Sequence, residues 1–117
     1  MKKCILLLSA CLLFVGCYRE TDEMIGTWLR PSDRNPSQKE GFVLKSHGKA
    51  ASVNLGTLKY EKWHIMEGKT LVLNGKDSGA GFAVDVQDMF IIESIDNMFL
   101  VLSPLDRSET ISYTRKQ

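Results

Sequence analysis

The side chain best placed for covalent chemistry is the thiol of Cys17, which stands where an apolar run meets charged residues in "LLFVGCYRE", residues 12–20. The chain has three cysteines, and all of them lie within its first 17 residues. A thiolate is a nucleophile that can be modified covalently. Cys17 is therefore either a site of modification or a small apolar residue of a buried helix, and the residues around it distinguish these two hypotheses.

Other residues of chemical interest do not form a catalytic or metal site. The stretch "DSGA" at residues 77–80 has the short signature of aspartic proteases, whose chemistry needs two carboxylates that share a proton. Here Lys76 and the neighbouring glycines indicate an exposed turn instead. His47 and His64, the only histidines, lack the spacing of a zinc site. We therefore predict that the protein is not an enzyme and has no metal or cofactor.

The residues before Cys17 have the pattern of a secretory signal peptide. Lys2 and Lys3 give a basic start, and residues 4–15, "CILLLSACLLFV", are uncharged and almost entirely apolar. This run is too short to span a bilayer, which needs about 20 residues, and it fits the apolar region of about 7 to 15 residues in a signal peptide. Gly16, directly before the cysteine, is small enough for the narrow cleft of a peptidase.

The run "LLFVGC" resembles the lipobox of bacterial lipoproteins, with Phe14 where that pattern prefers leucine. The resemblance implies that the Cys17 thiol is diacylated and that its amine becomes the new N-terminus. Tyr18, which is not an aspartate, then permits export to the outer membrane of the cell envelope under the usual bacterial sorting pattern. An ordinary secretory signal with a coincidental cysteine is the alternative. The predicted parts of the chain are a signal peptide over 1–16, a tether over 17–24 and a domain over 25–117.

The composition limits the remaining domain to a few classes. Removal of residues 1–16 leaves 101 residues, which is enough for one domain. Without Lys2 and Lys3 the 15 basic side chains become 13 against 14 acidic ones, so no basic surface remains to bind nucleic acid. No free thiol remains once Cys17 is acylated, which excludes disulfides, thiolate catalysis and cysteine-bound zinc. The domain must depend on its hydrophobic core.

From Ile25 onward the sequence is typical of an all-β protein. Short apolar runs alternate with turn pairs such as Asn74-Gly75, which tolerate the positive φ of a tight hairpin. Such a meander must close into a barrel or fold into a sandwich to protect its edges. A break in the alternation between Tyr60 and Trp63 predicts a β-bulge. We predict eight or nine strands, over residues 25–30, 41–46, 49–55, 58–66, 69–74, 80–87, 89–95, 98–103 and 109–115.

The stretch "IGTWLR", residues 25–30, resembles the first strand of lipocalins and related calycin barrels, whose signature is Gly-x-Trp. The resemblance implies that Trp28 plugs the closed end of the barrel and that a basic residue of the last strand lies across its ring. Arg115 of "SYTRKQ" has this position in the sequence. The residues expected to close the barrel are thus Gly26, Trp28 and Arg115. A cation over an indole face contributes roughly 0.5–2 kcal/mol.

A later stretch, "VNLGTLKYEKWHIMEGKTLVLNGKDSGAG", resembles the small lipocalin-like domains of bacterial lipoproteins. There too, a strand with a tyrosine and a tryptophan, here Tyr60 and Trp63, precedes a short hairpin and a glycine-rich turn. The chain is therefore identified as a bacterial lipocalin-like (calycin) lipoprotein. The fold that this implies is a small antiparallel up-and-down β-barrel behind an N-terminal signal segment.

Two functions compete for such a barrel, because eight strands enclose only their own side chains or one small ligand. One is binding of a small hydrophobic ligand at a shallow mouth, with contacts from Trp63, Phe82 and Phe90. The other is a non-enzymatic interaction module with a solid core that meets another envelope protein. Little interior volume is expected to remain beside Trp28, Phe42, Leu44, Val53, Leu71, Leu73, Phe82, Val84 and either Phe90 or Ile91.

The segment "VQDMFIIESIDNMFLVL", residues 86–102, is apolar on both faces of its predicted strands. A strand that is apolar on both faces needs a cover for its outer face. We expect this cover to be the loop over residues 31–40 or a protein partner.

Anchoring through Cys17 gives the first testable prediction. Cys17→Ser removes the acylated thiol but leaves the predicted domain intact, so the variant should fold normally and leave the membrane fraction. Cell fractionation and circular dichroism of the released protein would measure this. Unchanged membrane association of the variant would contradict the lipobox hypothesis.

Overall fold

The structure is a computed structural model that describes residues 22–106 and 109–117. After a single helical turn over residues 22–24, the described chain is built from strands. A short 3₁₀ turn, Ser46–Gly48, joins the second strand to the third. The strands are β1 (Gly26–Pro31), β2 (Lys39–Leu44), β3 (Ala50–Val53), β4 (Leu58–Met66), β5 (Thr70–Asp77), β6 (Val84–Ile95), β7 (Phe99–Pro104) and β8 (Ile111–Arg115).

These strands form one antiparallel sheet in the order β3-β2-β1-β8-β7-β6-β5-β4, which curls into a nearly closed barrel. Consecutive strands pair with each other except β3 and β4, which are the two edges of the sheet. β1 also pairs with β8, so the predicted up-and-down barrel is confirmed. β3 and β4 meet along a seam with an isolated bridge between Lys49 and Lys62. At this seam the backbone N–H of Tyr60 also donates to the Ser52 hydroxyl at 2.8 Å.

The connections define two ends of the barrel. Residues 22–25, which we name the N-terminal turn, lie at the closed end with the connections over 45–49, 67–69 and 96–98. The connections that follow β1, β3, β5 and β7 lie at the opposite end, which we name the mouth. In the described part of the chain, no helix is long and apolar enough to cross a membrane.

The strand boundaries differ from the prediction mainly around Asp88. The predicted strands 80–87 and 89–95 are wrong as separate elements, because β6 runs unbroken from Val84 to Ile95 and residues 78–83 form a loop. Asp88, which the prediction left between two strands, lies within β6, since its carboxylate has a hydrogen-bond partner inside the barrel.

The predicted bulge in β4 is confirmed, with a register shift between Tyr60 and Lys62. Gly75 of β5 lies opposite Tyr60. A Cβ atom on Gly75 would lie 2.0 Å from the carbonyl oxygen of Lys59. Only glycine allows the two strands to approach this closely at the bulge.

The hydrophobic core fills the half of the barrel nearest the closed end. Five of the predicted interior residues are buried there, namely Trp28, Phe42, Leu44, Leu71 and Leu73. They pack with Met24, Leu100 and Leu102, and each of these eight side chains is at most 2% exposed. Phe90, opposite Leu71, packs against this cluster.

Four of the residues named as interior, counting Ile91 as the alternative to Phe90, are elsewhere. Phe82 is 66% exposed and Val84 is also exposed, because β6 begins at Val84 and both side chains lie at the rim of the mouth. Val53 is on the outer face, since its neighbour Ser52 is opposite the inward-facing Phe42. Ile91 likewise faces outward, because it follows the inward-facing Phe90.

The segment 31–40 does not act as a cover for residues 86–102. It forms the tip of the β1–β2 hairpin and is almost entirely exposed. Its backbone bonds close the hairpin, for example from the N–H of Ser32 to the carbonyl of Gln38 at 2.9 Å, and the Asn54 side chain donates to the carbonyl of Lys39. None of the described hydrogen bonds joins this segment to residues 86–102. The outward-facing side chains of β6 and β7 are only partly buried.

Candidate functional site

The first and last strands meet around Trp28 at the closed end. Trp28 is fully buried and lies opposite Arg115 in the β1–β8 pairing. The guanidinium carbon of Arg115 is 4.2 Å from the centroid of the Trp28 ring. The structure thus has the stacked cation that the sequence resemblance implies for these two positions.

Arg115 also binds two segments of backbone, the N-terminal turn and the connection over 96–98. Its Nη1 donates to the carbonyl of Ile25 at 2.7 Å, its Nη2 to Glu23 at 2.8 Å and its Nε to Asn97 at 2.8 Å. A Cβ atom on Gly26 would lie 2.5 Å from Nη1, so glycine leaves the space that the guanidinium occupies. This cluster has a structural role, because all of these contacts are made within the protein.

The mouth has a different composition, since several charged and phenolic side chains point into the barrel. Alternation along each strand explains this. Arg30 follows the buried Trp28 by two residues and Glu40 precedes the buried Phe42 by two, so both face inward. Residues opposite each other in neighbouring strands share a face of the sheet. Asp88 and Tyr113 therefore also face inward, because they lie opposite the buried Leu73 and Leu100.

Four of these side chains form two pairs, and Arg30 also binds the exposed carboxylate of Asp33 at 3.0 Å. Arg30 forms a salt bridge with Glu40 at 3.1 Å, and each side chain is about three-quarters buried. The Tyr60 hydroxyl donates to a carboxylate oxygen of Asp88 at 2.5 Å. The Tyr113 ring packs on Phe42 with centroids 5.0 Å apart, at the boundary between the mouth and the core. Arg30, Glu40, Tyr60, Asp88 and Tyr113 are called the mouth set below.

The two tyrosines of the mouth set are held in their neutral form. Burial raises the pKa of Tyr60 well above its ordinary value, and the hydrogen bond to the Asp88 carboxylate raises it further. Burial also raises the pKa of Tyr113, to about 12. The charge of Arg30 opposes this shift, while those of Glu40 and Asp88 support it. Both hydroxyls therefore remain hydrogen-bond donors at neutral pH.

The model of the lipocalin-like family matches residues 20–116 of this sequence. The chain belongs to the lipocalin-like family. A lipocalin-like protein from Bacteroides thetaiotaomicron, known from a crystal structure, is 32% identical, with a TM-score of 0.69. The similarity covers 80% of this chain and 97% of that protein. A comparison with curated proteins found no match.

In this lipocalin-like barrel, the three predicted ligand contacts lie in three different environments. Trp63 is a buried core residue whose Nε1 donates to the carbonyl of Lys45 at 2.8 Å, toward the closed end. Phe82 is on the exposed rim. Phe90 lines a cleft of about 290 Å³ at the mouth together with Asp88 and Pro104. The structure therefore brings Phe90, but not Trp63, to the mouth set.

The mouth set itself was missed by the sequence analysis, which assumed that charged residues face outward. The signal was present in the spacing, because counting by twos from Trp28 and Phe42 leads directly to Arg30 and Glu40. Tyr60 was noted as one side of the predicted bulge and as part of the family-like strand, but not as an interior polar residue. The histidines lie elsewhere, since His47 is exposed in a turn and His64 is exposed on β4. Within the described residues, no group of three His, Cys, Asp or Glu side chains is arranged to bind a metal ion.

The raised pKa of Tyr113 predicts how stability changes in alkali. An unfolded chain ionises its tyrosines near pH 10, whereas the folded barrel keeps the Tyr113 proton until about pH 12. Its contribution to stability is therefore complete below about pH 10 and is lost as the pH rises to about 12, at about 1.4 kcal/mol per pH unit.

Tyr113→Phe keeps the ring on Phe42 but removes the ionisable group. We expect the free energy of unfolding of this variant, measured in urea, to fall less steeply over that pH window than for the natural protein. Deprotonation of lysines affects both proteins equally and serves as the internal reference. Parallel declines would show that the phenol of Tyr113 is not buried as described.

Proposed function

We propose that this lipocalin-like protein is a lipid-anchored binding protein of the bacterial cell envelope, held in the outer membrane through acylated Cys17. Its ligand is a small molecule with an apolar body and a polar group, bound at the mouth of the barrel. The observation that carries this proposal is the mouth set, which points into the barrel rather than into solvent.

Stability alone gives no reason for these side chains to face inward. Charged groups lose hydration when they are buried, and replacing a buried ion pair by packed apolar residues is often neutral or stabilising. The other half of this barrel shows that the fold accepts such packing, since its interior is filled by Leu, Phe and Trp. Charged residues inside an otherwise apolar interior are therefore expected mainly at functional sites.

The mouth set includes positive and negative side chains and neutral hydroxyl donors, and apolar side chains lie beside it. Arg30 and Asp88 are partly buried and can bind a polar group of the ligand by charge-assisted hydrogen bonds. The partly buried Leu58, Phe90 and Ile111 pack against the core and supply apolar surface beside it. The packed core separates the mouth from a second cleft of about 210 Å³ at the closed end, lined by Met24, Ile65 and Ile92, so a long lipid does not fit along the axis.

Binding without catalysis is the chemistry that we propose for this site. Nucleophilic or general acid–base catalysis needs a nucleophile paired with a base of suitable pKa. The tyrosines of the mouth set are stabilised in their neutral form, and the histidines lie elsewhere. The mouth set is thus suited to hydrogen bonding with a ligand.

A second candidate is the interaction module with a solid core. Two observations favour it, namely the filled half of the barrel and the partly exposed apolar side chains of Met89, Ile91 and Val101 on the outer face. In this case the partner is another envelope protein that packs against β6 and β7. A small molecule at the mouth and a protein on this outer face use different residues, so variants separate the two functions.

Native mass spectrometry of the full chain, extracted from membranes in mild detergent, tests the proposed function. We expect a co-purified small molecule whose retention is reduced about tenfold or more in Asp88→Asn, since a hydrogen bond to a charged group contributes about 1.5–3 kcal/mol. Asp85→Asn is the matched control, because Asp85 lies on the same strand with its side chain 88% exposed. Asp85→Asn should retain the co-purified small molecule as well as the natural protein does.

Three outcomes would contradict ligand binding at the mouth. These are the absence of any small molecule, equal retention in Asp88→Asn and the natural protein, or equal loss in both variants. A protein that co-purifies instead, and that is lost in Ile91→Asp, would favour the interaction module.

A further inference from the structure

The point at which the tether enters the barrel is fixed to the closed end. The carbonyls of three consecutive residues, Glu23, Met24 and Ile25, accept side-chain hydrogen bonds. Arg115 donates to the first and the third, and the Nε1 of Trp28 donates to Met24 at 2.8 Å. The N-terminal turn therefore moves with the barrel, and the chain before it starts from a defined place.

The same guanidinium connects this place to an exposed apolar pair. Arg115 Nε binds the carbonyl of Asn97, and the next two residues, Met98 and Phe99, are 46% and 50% exposed. Their backbone N–H groups both donate to the Asp96 carboxylate, at 2.8 and 2.7 Å. The pair is thus held rigidly beside the N-terminal turn.

The length of the tether limits how far this end can be from the membrane. Cys17 precedes Asp22, the first described residue, by five positions, and five residues span at most about 18 Å. On the basis of the proposed acyl anchor, we propose that the closed end of the barrel docks on the bilayer surface, with Met98 and Phe99 inserted at the headgroup–acyl boundary. The mouth then faces away from the membrane.

The closed end combines this apolar pair with exposed charged residues, such as Lys45, Lys49 and Lys69, that can stay among the headgroups. Transfer of phenylalanine and methionine side chains from water to the acyl boundary, about 5–10 Å below the surface, is favourable. Lys116, exposed beside the Arg115 cluster, can keep its ammonium at the phosphates while its stem stays on apolar surface. Acidic Asp22 and Glu23 at the same end oppose a requirement for anionic lipid. A zwitterionic surface is therefore sufficient.

Brominated lipids, which quench tryptophan at the acyl boundary, test the docking. The full lipidated chain is reconstituted into phosphatidylcholine vesicles with or without bromine on the acyl chains. Two variants each add one tryptophan, Phe99→Trp at the closed end and Phe82→Trp at the mouth, both at exposed positions. The parent protein provides the emission of Trp28 and Trp63 for subtraction. We expect most of the added emission of Phe99→Trp to be lost in brominated vesicles, and that of Phe82→Trp to be kept.

The outcomes separate docking from anchoring. If the protein does not float with the vesicles, the acyl anchor is absent and the docking falls with it. If it floats but Phe99→Trp is not quenched, the anchor stands and the docking alone is overturned. Quenching of Phe82→Trp to the same or a greater extent than Phe99→Trp also overturns the proposed orientation.

Discussion

The stacked pair of Arg115 and Trp28 is the interaction on which the rest of the barrel depends. A barrel made from a meander has to join its first strand to its last, and here the described pairing between β1 and β8 includes only two residue pairs. The guanidinium strengthens this short junction from one side, since it lies over the indole and also binds three backbone carbonyls. The bond to Ile25 is partly buried, and a bond from a charged donor contributes about 1.5–3 kcal/mol in such a position. The exposed bonds to Glu23 and Asn97 contribute less, because solvent screens them. One side chain thereby fixes the junction, the N-terminal turn and the β6–β7 turn at the same end.

Closing one end in this way divides the interior into two chemical zones. Between Tyr113 and the closed end, the interior side chains are apolar and tightly packed. Toward the mouth, the other members of the mouth set are charged or phenolic. The tyrosines form the boundary, because their rings pack on the core while the Tyr60 hydroxyl binds Asp88. The division gives the two ends different roles in our account. The closed end carries the attachment and an apolar contact surface, and the mouth carries the polar groups that can select a ligand.

The sequence predicted the barrel well where local rules act alone. Turn pairs and the slip near Tyr60 predicted the antiparallel strands and the bulge, since each is encoded within a few neighbours. The closed barrel and the contact between Trp28 and Arg115 were expected from the resemblance to lipocalins, because no local rule joins residues so far apart in the sequence. Phe82 and Val84 could not be placed in this way, because their alternation is correct but the wall of the barrel ends before them. Burial depends on how far the neighbouring strands extend, which is a property of the register. The mouth set was missed for a related reason, since the inward direction of Arg30 and Asp88 becomes clear only when alternation is counted from a residue known to be buried.

Amide hydrogen exchange in Arg115→Lys tests the central claim most directly. Lysine keeps the positive charge but cannot bind three carbonyls at once. Our account predicts that protection falls together at Ile25 in the N-terminal turn and at Asp96 in the β6–β7 turn, whose amides bond locally to Asp22 and Phe99. Protection at Leu73 in the core should be less affected, and Arg34→Lys on the exposed hairpin tip should match the natural protein. If the two turns keep their protection in Arg115→Lys, or if only one of them loses it, a single guanidinium does not hold the closed end together.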